Sequence, residues 1–204
     1  MTDKSVGVGA DRLLALSDGV FAIAITLLVL DITIPEGLDG HAFDAALHAL
    51  IPHIAAYVLS FVVIAAFWRD HRRIFQSVSG IDDGLLTLAM LGLGLVALIP
   101  FPTALLAEYS GQRQSVAIYA AVVAAVDTIQ LTMVLWIWRH PRLLRARVPV
   151  PVIRNLVQDI GSTVVVFALS IPIAFISATA AMWCWLLLVP LKIGIGRQGR
   201  TLGL

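Results

Sequence analysis

Apolar residues run along this chain in long blocks separated by short polar clusters. A helix needs about 20 apolar residues to span a bilayer. Blocks at roughly 13–34, 46–68, 84–107 and 115–138 meet that length. The stretch at roughly 157–191 is too long for one crossing and fits two short ones, with Ser177-Ala178-Thr179 as the expected turn. Pro35-Glu36-Gly37 closes the first block, Arg69-Asp70-His71-Arg72-Arg73 the second and Arg139-His140-Pro141-Arg142 the fourth. Pro100 and Pro102 lie near the far end of the third. The pattern predicts an all-α, polytopic membrane protein with six transmembrane helices. No loop is long enough for a second domain, and no half repeats the other, so one unit over 1–204 is expected. Residues 1–9 are polar and glycine-rich with only Lys4 basic, and no cleavage pattern precedes Pro35. The first block is therefore expected to be a retained helix and not a signal peptide.

Composition strengthens this picture. Of 204 residues, 59% are hydrophobic and 13% charged, and the mean hydropathy is +0.93. Soluble domains carry about 25% charged residues. The net charge of +1 says little, but the placement of charge says more. Lys4 and Arg12 precede the first helix, and Arg69, Arg72 and Arg73 follow the second. Arg139, Arg142, Arg145, Arg147 and Arg154 lie between the fourth and fifth, and Lys192, Arg197 and Arg200 in the tail. The opposite loops hold Arg113 with Asp39, Asp44 and Glu108. The positive-inside rule then places both termini in the cytoplasm, which needs an even number of crossings. The basic residues follow loop orientation and form no separate patch, so no nucleic-acid partner is expected. Cys184 is the only cysteine, which excludes a disulfide within the chain.

Few polar residues fall inside the spans. They are Ser17, Asp18 and Thr26 on helix one, Ser60 on helix two, Thr87 on helix three, Asp127, Thr128 and Gln130 on helix four, and Ser170 on helix five. No HExxH, GxSxG or phosphate-binding glycine loop is present, so no enzyme is expected. At about 100° per residue, Ile23, Leu27 and Leu30 share an arc of roughly 60° that Thr26 flanks, and Asp18 points about 140° from Ile23. Helix one thus has an aliphatic face and a polar back. Such a stripe ordinarily faces lipid or a neighbouring helix. Asp18 reads best as a hydrogen-bonded structural carboxylate, and Asp127 as a partner in a bond between helices or subunits. Trp68, Trp136 and Trp138 read as interfacial anchors, and His71, beside three arginines, as a solvated loop residue.

The run from Arg12 through Leu16-Ser17-Asp18-Gly19-Val20-Phe21-Ala22-Ile23-Ala24-Ile25-Thr26-Leu27-Leu28-Val29-Leu30 resembles the signature opening helix one in bacterial homologues of the lysosomal potassium channel, the transmembrane protein 175 family. Trp68-Arg69-Asp70-His71 is similar to the family's Trp-x-x-His, and Pro100-Phe101-Pro102-Thr103 to its Pro-Phe-x-Thr. Leu16 stands where phenylalanine is usual, Arg72 where a second histidine often follows, and Ala89 where asparagine is frequent.

The resemblance implies a potassium-permeable channel assembled as a homotetramer in the bacterial inner membrane, with helix one of each subunit lining the pore. It places rings of Ile23, Leu27 and Leu30 at the constriction, with Thr26 close behind and Asp31 at the outer mouth. Arg12, Ser17, Asp18, Trp68 and His71 become a network holding or gating that helix, with Arg12 and His71 the expected partners of Ser17 and Asp18. Potassium is the permeant ion, the partners are monovalent cations, lipid and other copies of the chain, and no cofactor is implied. A hydrophobic neck predicts weak to moderate preference for potassium over sodium. The competing reading is a secondary transporter or proton-coupled exchanger that uses Asp18 and Asp127, although helix one lacks the mid-helix break common in transporters.

Overall fold

The computed structural model describes residues 3–145, 150–188 and 191–192. Arg147, Arg197 and Arg200 of the basic loops lie outside them. The described residues form helices α1 (Asp3–Leu27), α2 (Gly40–Ala49), α3 (Ile51–Gln76), α4 (Asp83–Leu98), α5 (Pro100–Glu108), α6 (Arg113–Arg139), α7 (Val150–Ile176) and α8 (Ala178–Trp185). Every backbone polar group within a bilayer must be satisfied inside the segment, and helices do this. Five helical segments are long and apolar enough to cross a membrane: Gly9–Asp31, Gly40–Gln76, Asp83–Glu108, Arg113–Arg139 and Ile153–Ile176.

Several expected boundaries move, each for a local reason. The charged run 69–73 does not end the second helix, because α3 continues to Gln76. Its buried members face other helices instead of solvent. Pro52 near the start of α3 has no N–H to give, which separates the exposed α2 from α3 at Leu50. Pro100 likewise breaks the third block at Ile99 into α4 and α5. The first block tightens into a 3-10 helix at Leu28–Asp31. The break in the last stretch does fall at Ser177, whose side chain accepts from the Ala180 N–H and caps α8. Beyond it, α8 has only 8 residues, with further helical positions at 188 and 191–192. Eight residues rise about 12 Å, well short of a ~30 Å hydrocarbon core. The expected sixth crossing is thus present only as this short helical segment among the described residues.

Two buried clusters hold the bundle together. One gathers Phe21, Leu28, Ile64, Tyr119, Phe167 and Trp185. The other gathers Leu13, Phe75, Val78, Leu85, Met133 and Ile160. At one end the loops after α3 and α6 are joined by backbone hydrogen bonds, Ser79 N–H to Leu143 at 2.7 Å and Arg145 N–H to Ser77 at 2.9 Å. That end carries most of the described basic side chains.

Candidate functional site

The back of α1 is fixed to α3 by two adjacent polar contacts. Ser17, fully buried, donates its hydroxyl proton to the Leu13 carbonyl at 2.8 Å. The serine oxygen lies 3.0 Å from His71 Nε2. A serine hydroxyl has one proton, and here it is already used. Nε2 of His71 therefore carries a hydrogen and donates it, which assigns the tautomer from the network. His71 is 3% exposed and packs against Phe21 and Phe75, with ring centroids 5.6 and 4.7 Å away. One position along α1, Asp18 Oδ1 accepts from Trp68 Nε1 at 2.7 Å. The Arg72 guanidinium sits 5.1 Å from the Trp68 ring centre, a cation–π distance. Trp68 and His71 are three residues apart, so they share one face of α3 and meet consecutive residues of α1.

These contacts bear on three expectations. His71 is a buried helix residue and not a solvated loop residue, because α3 runs past the charged cluster. Trp68, expected in the network behind helix one as well as an interfacial anchor, gives its indole N–H to Asp18. Arg12, expected to reach Asp18 only indirectly or between helices or subunits, is exposed and makes no hydrogen bond or ion pair among the described residues; within one chain Asp18 is bonded to Trp68. Of the three departures in the signature, Leu16 is exposed, Arg72 covers Trp68 and Ala89 is buried in α4.

The opposite face of α1 is bare within one chain. Ile23 is 60% exposed, Leu27 40% and Leu30 66%, while Phe21, Ala24 and Leu28 fill the core behind them. Side chains three apart eclipse in a 3-10 helix. The tightening at Leu28–Asp31 therefore sets Leu30 nearly in line with Leu27 and narrows the arc expected from α-helical spacing. Thr26 is exposed beside the stripe, and its hydroxyl donates to the Ile23 carbonyl at 2.9 Å. Its oxygen lone pairs stay open. Asp31, also exposed, ends the 3-10 helix.

Other polar groups cluster away from α1. Ser60 Oγ lies 3.0 Å from Tyr119 OH and 2.8 Å from Thr103 Oγ1, linking α3, α5 and α6. Trp185 of α8 donates to Ser170 of α7 at 3.0 Å. Ser60 and Ser170 stand out in the sequence as polar residues in apolar spans; Tyr119 does not. At the basic end, buried Asp70 meets Arg69 Nε at 3.2 Å and Arg73 at 3.4 Å. Asp159 of α7 joins the same arginines, and Lys192 reaches it at 3.0 Å. Sequence reading missed Asp159, because a lone aspartate near a helix start carries no signal of its partners. Trp136 donates to Asp82 at 3.1 Å. That bond, the Leu85 N–H and nearby His140 and Arg142 hold the Asp82 carboxyl below the usual carboxylate range, the Leu85 backbone bond contributing most. Asp127 is buried, and its Oδ2 has no partner among the described residues.

Comparison with known proteins places the chain in a family. The family described as "Endosomal/lysosomal potassium channel TMEM175" matches residues 12–100, which contain Ser17, Asp18, Trp68 and His71. A potassium channel of Streptomyces collinus is 38% identical over 171 residues, covering 82% of this chain and 83% of the relative. A crystal structure of a lysosomal potassium-selective channel TMEM175 homologue from Chamaesiphon minutus matches with a TM-score of 0.78 and 29% identity, over 92% of this chain and 98% of the other. The endosomal/lysosomal proton channel TMEM175 of Danio rerio is 28% identical over 67% of this chain, which corresponds to 26% of that longer protein. The chain is a multi-pass membrane protein that belongs to the TMEM175 family, a family of ion channels and not of enzymes.

Proposed function

We propose that the chain is one subunit of a potassium-permeable channel, a homotetramer whose first helices line a central pore. Six helical segments per subunit, α8 being the sixth, form one unit over 1–204. It sits in the bacterial inner membrane with both termini in the cytoplasm, since the basic end belongs on that side. The observation that carries the reading is the bare stripe of Ile23, Leu27 and Leu30 on a helix whose opposite face is pinned by Ser17–His71 and Asp18–Trp68. A pore helix needs such an arrangement, with a face left free and a back held still.

Stacked rings of these side chains make a hydrophobic neck. A narrow ring blocks ions by dewetting, and a wider one passes an ion that keeps most of its water. Potassium holds its water less tightly than sodium, so the neck favours it weakly to moderately. The open lone pairs of Thr26 replace a lost water. A ring of Asp31 at the outer mouth raises the local cation concentration. Ser17, Asp18, Trp68 and His71 position the helix within one chain, Arg12 is left to reach a neighbouring subunit, and the set needs no cofactor.

The test is flux from potassium-loaded liposomes carrying the purified protein, compared with Ile23→Asn and Thr26→Ala. The expected result is potassium flux down its own gradient, low sodium flux, and altered selectivity in both variants. Flux that needs a proton or sodium counter-gradient, ignores Ile23 and is lost with Asp127→Asn would replace the channel by an exchanger.

A further inference from the structure

Asp127 lies midway along α6 and is 2% exposed. Its Oδ2 has no hydrogen-bond partner among the described residues. Three residues on, Gln130 is equally buried. Its amide Nε2 donates to the Phe67 carbonyl of α3 at 3.0 Å, and its Oε1 has no donor. Side chains three apart on a helix are neighbours, with Cβ atoms about 5–6 Å apart. Two buried acceptor oxygens thus share one face of α6 and lack a hydrogen. Turning the Gln130 amide over gives Asp127 a donor but sets an oxygen against the Phe67 carbonyl, so the deficit only moves.

The surrounding charges do not fill the gap. Asp70 of α3, Asp159 of α7 and Lys192 are the charged groups that act on Asp127. Lys192 is bonded to Asp159 at 3.0 Å, and Asp70 is held by Arg69 and Arg73. Among the described residues no further cation is paired with Asp127. An isolated carboxylate buried in an apolar interior is costly, and such groups take up a proton instead. Ionisable residues within a membrane are functional hypotheses by default.

We propose that Asp127 and Gln130 form a proton-binding site inside the subunit, apart from the first-helix stripe. One proton from solvent forms an O–H bond on the Asp127 carboxyl, and that O–H donates to Gln130 Oε1. A single added hydrogen then satisfies both oxygens and removes the buried charge.

The test is infrared spectroscopy of the purified full chain in lipid at pH 7, a readout that does not depend on conduction. Wild type is expected to show the C=O stretch of a protonated carboxylic acid, shifted in D2O and absent from Asp127→Asn. Asparagine has the shape of the neutral acid and brings its own donor, so that variant is expected to fold with an unchanged or higher melting temperature. Gln130→Leu removes the acceptor and is expected to move the band to higher frequency. A wild-type spectrum without the band overturns the proposal. So does a band that survives in Asp127→Asn or stays put in Gln130→Leu, or an Asp127→Asn chain that does not fold.

Discussion

Trp68 Nε1 donates to Asp18 Oδ1 at 2.7 Å, one residue along α1 from the point where His71 meets Ser17. The bond joins the helix with the bare stripe to the helix with the charged end. Trp68→Phe keeps an aromatic ring and removes only the polar contact. It is expected to cost about 1–2 kcal/mol, low in the range for bonds to a charged group because Asp18 is half-buried. The measurement is the melting temperature of the purified protein, with Trp138→Phe, an exposed indole, as the reference. Equal changes in the two variants would show that the Asp18 contact contributes nothing.

Ser17 and His71 form a buried pair in which each supplies what the other lacks. Ser17→Ala leaves the His71 Nε2–H without an acceptor in the core, at an expected cost of about 1–3 kcal/mol. Removing both polar groups in Ser17→Ala/His71→Phe is expected to cost less than the sum of the single changes, because neither orphan is left behind. Thermal unfolding of the three variants checks this. Strict additivity is the contrary result.

Gly84 begins α4 against the face of Trp136, and a Cβ built there runs into that indole. Gly84→Ala must push Trp136 away from Asp82, to which it is bonded at 3.1 Å. Overpacking of this kind costs about 1–3 kcal/mol. Gly94, on the same helix, meets nothing within 4 Å. Gly94→Ala is expected to be neutral or stabilising, since alanine is favoured over glycine inside a helix by about 1 kcal/mol. A lower melting temperature for Gly94→Ala than for Gly84→Ala would refute the packing argument.

Asp82 caps α4 through the Leu85 N–H at 2.9 Å, and its carboxyl is held below its ordinary value of 3.8. The folded chain then binds fewer protons at this site than the unfolded chain, so stability rises with pH across that window. The contribution is complete above the ordinary value and is lost as pH falls through the folded one. Stability measured between about pH 5 and pH 3 is expected to fall less steeply in Asp82→Asn than in wild type. Parallel curves would remove Asp82 from the acid response.

Much of this was legible in the chain itself. The length of the apolar blocks required membrane-spanning helices, because no soluble fold hides so much apolar surface. The spacing of Ile23, Leu27 and Leu30 set them on one face, since helical periodicity is local. The spacing of Ser17 and Asp18 set them behind that face. Ser177 was readable as a break, because a short polar run interrupts an apolar stretch too long for one crossing.

What the sequence could not give was which distant groups meet. Arg12 lies on a different face of helix one and could meet Asp18 only indirectly or between helices or subunits; within the chain Trp68, 50 positions away, is the group that arrives. By its neighbours in sequence His71 looked solvated among arginines, and only the family resemblance named it a partner of helix one; the continuation of α3 to Gln76 is what buries it against α1. The tightening of α1 at Leu28, the Asp159 cluster and the missing donor at Asp127 were likewise invisible. Periodicity is fixed by the geometry of one helix, whereas partners depend on how helices far apart in sequence pack. The sequence by itself determined the helices and their faces, and the tertiary structure decided which faces touch and which polar atoms are left alone.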